Sequence, residues 1–164
     1  LFLRSLPPTC IFNVIGFGSI FEKLHDDSVA YNQQNLDNAT HYARGVPADL
    51  GGTSLIPPLD EIYNSTHQPG FLKQIFVLTD GQNDEGADAA IKLVASKKGF
   101  ARVFSLGIGG DADRQLIEGI ASEGGGVAEY VQPSTEKIET KVLEQLKIAL
   151  RPSLLKAVPL DTTN

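Results

Sequence analysis

Ile75-Phe76-Val77-Leu78-Thr79-Asp80-Gly81 decides how this chain is read. Four consecutive apolar residues, β-branched or aromatic for the most part, suit a strand covered on both faces. Asp80-Gly81 then turns the chain sharply at the strand's carboxyl end. Downstream the apolar period changes to that of a helix, with Ala87, Ala90, Ile91, Val94 and Ala95 on one face. The alternation repeats twice. Val103 to Ile108 reads as a strand, followed by a helix that Asp111 or Asp113 caps and whose stripe is Leu116, Ile117, Ile120 and Ala121. Val127 to Val131 reads as the next strand, followed by a helix capped by Ser134, with Ile138, Val142, Leu146 and Leu150 at spacings of four, and ended by Pro152. Buried strands alternating with amphipathic helices predict a doubly wound α/β fold: a mostly parallel sheet with helices on both faces.

The first half is less regular. Leu1 to Leu6 reads as the end of a helix that Pro7-Pro8 stop. Ile11 to Phe17 reads as a strand buried on both faces, and Ser19 to Leu24 as a short edge strand joined to it through Gly18. Ser28 suits the cap of a helix running to about Arg44, with Val29, Leu36, Ala39 and Ala43 on one face. A short helix with Pro57 and Pro58 in its first turn would face Leu55, Leu59 and Ile62 inward. No internal repeat or low-complexity linker interrupts the chain, so residues 1–152 are expected to form one domain and 153–164 a tail.

Composition narrows the functional classes. With 164 residues, 41% hydrophobic and 21% charged, the chain has the make-up of a globular domain. A net charge of −6 without a basic, aromatic-rich cluster argues against nucleic acid as partner. No apolar run reaches membrane-span length, and Arg4 with Pro7-Pro8 breaks any leader pattern at the start. Cys10, the lone cysteine, lies in an apolar run and excludes an internal disulfide, which favours an intracellular, cytoplasmic setting. The sequons Asn38-Ala39-Thr40 and Asn64-Ser65-Thr66 would matter in the alternative, secreted setting. The chain has no methionine, which suggests a processed, excised or incomplete product.

Open α/β sheets bind ligands beyond the carboxyl ends of their strands. The polar loops there are Asp49 to Thr53, Thr79 to Asp84, and Gly107 to Asp113. Asp80 and Thr53 offer a carboxylate and a hydroxyl, hard oxygen donors suited to magnesium, manganese or calcium. Taken alone, Asp80-Gly81 is equally a plain turn and Thr53 equally a helix cap. An enzymatic reading finds little support. Gly107-Ile108-Gly109-Gly110-Asp111 lacks the third glycine of a dinucleotide loop and the Gly-Lys-Ser/Thr of a P-loop. The calcium-loop pattern fails at Gln82. No serine occupies a nucleophile elbow, and His25, His41 and His67 share no metal spacing.

Three features in order resemble the von Willebrand factor type A (vWA) domain: Gly51-Gly52-Thr53, the strand ending Phe76-Val77-Leu78-Thr79-Asp80-Gly81, and the strand ending Phe104-Ser105-Leu106-Gly107-Ile108-Gly109. The stretches from Leu6-Pro7-Pro8 to Gly16-Phe17-Gly18-Ser19, and Ala48-Asp49-Leu50-Gly51-Gly52-Thr53, are similar to the subgroup in which this domain follows a VIT domain. The resemblance runs from Leu1 to about Pro152. It implies a protein-binding module rather than an enzyme. Its metal ion-dependent adhesion site would hold Mg2+ or Mn2+, or Ca2+, through Thr53, Asp80 and an Asp-x-Ser-x-Ser loop, and the ion would capture a carboxylate from an acidic side chain of a protein partner. No Asp-x-Ser-x-Ser occurs here. The resemblance therefore places that motif and the first central strand upstream of Leu1. Residues 1–164 alone are expected to hold metal poorly and to form an unstable sheet. Gln82-Asn83-Asp84-Glu85 departs from the acidic-then-apolar pattern of the resembling domains and reads as solvated turn residues, with tuning of the partner surface as the alternative, while Asp49 suits a buttress for the glycine loop, a cap or a solvated position. The alternatives are a metal-free scaffold of the same fold and a part of a multidomain enzyme.

Overall fold

The structure is a computed structural model and describes residues 2–45, 52–80 and 83–151. In chain order, a 3-10 turn at Phe2–Ser5 precedes the short strands β1 (Ile11–Phe12), β2 (Ile15–Phe17), β3 (Phe21–Lys23) and β4 (Val29–Ala30). Helices α1 (Gln33–Gly45) and α2 (Ile56–Asn64) follow. The chain then alternates as β5 (Lys73–Thr79), α3 (Ala87–Ser96), β6 (Ala101–Ile108), α4 (Arg114–Glu123), β7 (Gly125–Val131) and α5 (Ile138–Ala149).

β5, β6 and β7 form a parallel sheet in that order, with Phe76 opposite Phe104 and Thr79 opposite Gly107. Side chains alternate across it. Ile75 and Val77 of β5 and Val103 of β6 join the larger core with Leu59 of α2, Val94 of α3, and Leu116 and Ile120 of α4. Each such burial contributes about 1.5–3 kcal/mol. The opposite face packs Leu106 and Val131 against Val142 of α5, with Phe2 and Ile138 at its margin. Here Phe2, Phe76 and Phe104 form a run of rings with centroids 5.0 Å apart, and Arg102 lies over the Phe104 ring. Helices thus cover both faces, the expected doubly wound α/β arrangement.

The N-terminal half departs from the expected pattern for identifiable reasons. The run Ile11 to Phe17 is broken into β1 and β2, which pair antiparallel with β4 and β3. Asn13 causes the break: its Oδ1 accepts from the Val14 and His25 amides, and its Nδ2 donates to the His25 carbonyl. Of this run only Phe12 is buried. Ser28 does not cap α1. Val29 is paired in β4, and Asn32 is the cap, its Oδ1 accepting from the Asn35 amide at 2.8 Å. Leu36 and Ala39 are buried on α1 but Ala43 is exposed. Phe2–Ser5 forms a 3-10 turn instead of the expected α-helical end, and Leu1 lies outside the described residues. Asp113 caps α4. α5 begins after Lys137 with no side-chain cap, so Ser134 does not serve, and Leu150 at its end is 54% exposed. Pro152 and the tail lie outside the described residues.

Gln145 of α5 repairs an irregularity in the sheet. The β6–β7 register shifts between Val103 and Ser105, and the buried Gln145 amide donates to the Ser105 carbonyl at 2.7 Å and the Val127 carbonyl at 3.0 Å. Gln145→Leu keeps the volume but strands one buried acceptor, at Ser105, and one part-buried acceptor, at Val127, at about 1–3 kcal/mol each. Denaturant unfolding of the full-length protein is expected to show a loss of about 2–4 kcal/mol. A change under 0.5 kcal/mol would mean the two carbonyls find other partners.

Among the described residues, no strand pairs with the other edge of β5. β5 is not built as an edge. From Gln74 to Thr79 it has no charge and no proline, and it pairs with β6 without a bulge, whereas natural edges use such devices for protection. Leu78 is 38% exposed beside that open edge.

Candidate functional site

Because β5, β6 and β7 run parallel, their carboxyl ends share one rim. Alternation along β5 buries Thr79 and leaves Asp80 exposed just past the strand. The Asp80 carboxylate enters no hydrogen bond or ion pair among the described residues. Thr53 lies in the loop entering α2 and is half-buried, and its hydroxyl makes no hydrogen bond there, although its backbone is fully engaged.

That loop is tied down on two sides. Toward the β2–β3 hairpin, the Gly52 amide donates to Ser19 Oγ at 2.8 Å and the Ser54 amide to the Gly18 carbonyl at 2.9 Å. Toward the β5–α3 connection, the Thr53 amide donates to Asp84 Oδ2 at 2.8 Å, and the Asp84 amide donates back to the Thr53 carbonyl at 2.8 Å. The Leu55 amide donates to Asn83 Oδ1 at 3.0 Å, and the Ser54 hydroxyl donates to the Glu85 carboxylate. A Cβ on Gly52 would overlap the Asp84 carboxylate and would have to push it from its place against the Thr53 amide. The fold therefore brings together the loops that carry Thr53 and Asp80. Asp49, Gly51, Gly81 and Gln82 lie outside the described residues.

The reading of Asn83-Asp84-Glu85 as solvated turn residues is corrected for Asn83, which is 6% exposed and also donates to the Gly86 carbonyl at 2.7 Å. Leu55, whose amide it accepts from, lies 28 residues away in sequence, beyond the reach of any local pattern.

In the third rim loop Gly109 and Asp113 are committed to structure, while Asp111 is exposed and enters no hydrogen bond or ion pair among the described residues. Gly109 has φ +83°, a turn conformation open to glycine, and its amide donates to the Val131 carbonyl. Asp113 is spent capping α4. Tyr130 donates to Glu118 Oε1 at 3.1 Å beneath the Arg114 guanidinium. Burial, then the hydrogen bond to the Glu118 carboxylate, pushes its phenol up to about 12, so it stays a donor at neutral pH. The Cys10 thiol is half-buried, and burial raises its pKa.

Thr53 and Asp80 fit a hard cation in kind but not in number. Magnesium and calcium take six or more oxygens, and among the described residues no three His, Cys, Asp or Glu side chains are grouped to hold an ion. Beside Thr53 the hairpin tip and α2 enclose a shallow groove between Ile20, Phe21, Ser54, Pro57 and Pro58, with Ile20 60% exposed. No helix among the described residues is long and apolar enough to cross a membrane.

The family model of the von Willebrand factor type A domain matches residues 1–130, which include the hairpin, the Thr53 loop, β5 with Asp80, and the sheet through most of β7. The chain belongs to the von Willebrand factor type A domain family. These vWA domains are protein-interaction modules. Von Willebrand factor A domain-containing protein 5A of Rattus norvegicus is 39% identical over 154 residues, 94% of this chain and 18% of that protein. The Homo sapiens protein of the same name is 40% identical over 152 residues, 93% of this chain and 19% of that protein. The vWA chain thus spans less than a fifth of the length of these relatives. Among solved structures, a von Willebrand factor type A protein from Catenulispora acidiphila superposes with a TM-score of 0.72 at 19% identity, covering 90% of this chain and 34% of that one. Proximal thread matrix protein 1 from the mussel byssus superposes with a TM-score of 0.66 at 16% identity, covering 90% of this chain and 38% of that one. Both likenesses support the vWA fold.

Proposed function

We propose that this vWA domain binds a protein partner through Mg2+ or Mn2+, or Ca2+, held at the carboxyl-end rim by Thr53 and Asp80 together with oxygen donors from outside the described residues. The observation that carries the reading is a contrast. The two loops are stapled to each other through their backbones and neighbours, while the Thr53 hydroxyl and the Asp80 carboxylate are left uncommitted. Polar side chains held at a sheet's ligand-binding rim yet without partners are suited to an external ligand. When bound, the ion would supply an open coordination position that an acidic side chain of the partner fills. Thr53 would contribute a neutral oxygen, Asp80 a charged one, and no bond is broken, so the module is not an enzyme.

Binding of Mn2+ to the full-length protein, followed by electron paramagnetic resonance, tests the metal. One saturable site at the rim is expected, and Thr53→Ala should weaken it about tenfold, the effect of losing one neutral oxygen donor worth ~1.4 kcal/mol. Absence of saturable binding would overturn the metal reading in favour of a metal-free scaffold. That second reading is favoured by the lack of a grouped ligand set among the described residues and by the apolar groove at Ile20.

A further inference from the structure

We infer that Asn83 and Asp84 are positioning residues for Thr53, setting where its hydroxyl stands relative to Asp80; the inference rests on the proposed metal site. Four consecutive amides enter α2 through this loop, those of Gly52, Thr53, Ser54 and Leu55, and all four have partners. Two of those partners are side chains of the β5–α3 connection: Asp84 Oδ2 for Thr53 and Asn83 Oδ1 for Leu55. The exchange is reciprocal at Thr53, whose carbonyl accepts from the Asp84 amide. Asn83 is itself fixed, being 6% exposed and bonded to the Gly86 carbonyl.

Asp84 follows Asp80 by four residues in the same connection. The clamp therefore references the Thr53 loop to the strand end that presents Asp80. A metal site needs its ligands held to within about 0.2–0.5 Å, and groups that orient ligands matter nearly as much as the ligands themselves. Gly52 is the complement of this clamp: without a side chain it lets the Asp84 carboxylate lie against the loop backbone. Asp84 acts through an acceptor oxygen already committed to the Thr53 amide, so its charge is not what the site requires. Asparagine can present the same acceptor, and alanine cannot.

The test compares wild type, Asp84→Ala, Asp84→Asn and Gly52→Ala in the full-length protein. Two readouts are needed: Mn2+ binding by electron paramagnetic resonance, and amide hydrogen exchange of the Gly52–Leu55 segment by mass spectrometry. Asp84→Ala and Gly52→Ala are expected to weaken Mn2+ binding about 10–100-fold and to speed exchange across the segment. Asp84→Asn should stay within about threefold of wild type in both. An Asn variant as weak as the Ala variant would overturn the positioning role in favour of a requirement for the charge. Unchanged exchange in Asp84→Ala would overturn the clamp itself. Should wild type bind no Mn2+, the metal reading fails while the exchange rates still decide whether Asp84 holds the loop.

Discussion

Asp80→Ala in the full-length protein is expected to weaken Mn2+ binding by at least about 100-fold while changing stability by no more than about 0.5 kcal/mol. The two halves rest on different observations. Affinity of hard-cation sites follows the number of charged oxygens and the rigidity of the site, and Asp80 is the carboxylate that the strand end presents at the rim. Stability should be indifferent because Asp80 is exposed and holds no partner among the described residues. Asp80→Asn, which keeps an oxygen but removes the charge, should fall between wild type and Ala. Circular dichroism during urea unfolding checks the stability half. A large destabilisation by Asp80→Ala would mean that its carboxylate is a structural cap and not a free donor.

Residues 1–164 produced alone are expected to show no cooperative thermal unfolding. The reason lies in β5. Its sequence is that of a central strand, uncharged from Gln74 to Thr79, but among the described residues one of its edges has no strand beside it. A seven-residue strand left open on one side forgoes several ladder bonds of about 1 kcal/mol net each, and Leu78 keeps 38% of its surface in water. Against a total stability of about 5–15 kcal/mol for a domain, losses of that order remove most of the margin. The open edge also invites pairing with other chains. Differential scanning calorimetry with light scattering distinguishes the cases. A reversible, two-state transition above ambient temperature in a monomeric sample would show that the three-stranded sheet suffices by itself.

The sequence was most legible where the apolar period was strong. β5, β6 and β7 and the helices between them follow from uninterrupted apolar strands and from stripes such as Leu116, Ile117, Ile120 and Ala121, all of which are buried. It was least legible where one polar side chain redirects the backbone. Asn13 splits an otherwise strand-like run by bonding the His25 backbone twelve residues away. Asn32 caps α1 while Ser28, an equally good capping residue, sits beside the strand residue Val29. Asp113, one of two candidate caps spaced two residues apart in the sequence, is the residue that caps α4. At the site, the order of the loops, through the resemblance it carries, points to Thr53 and Asp80 as an expectation that metal binding has still to test. The Asn83–Asp84 clamp that joins their loops was not visible, because its hydrogen bonds link residues about thirty apart and leave no periodic trace.

The central claim, a divalent cation held at the rim by Asp80 and Thr53, is tested most directly by titrating Mn2+ into the wild-type and Asp80→Ala full-length proteins side by side under electron paramagnetic resonance. One saturable site in wild type that disappears in Asp80→Ala, with unfolding curves superimposable, is the predicted result. Equal Mn2+ binding by the two proteins, or none by either, would contradict the account.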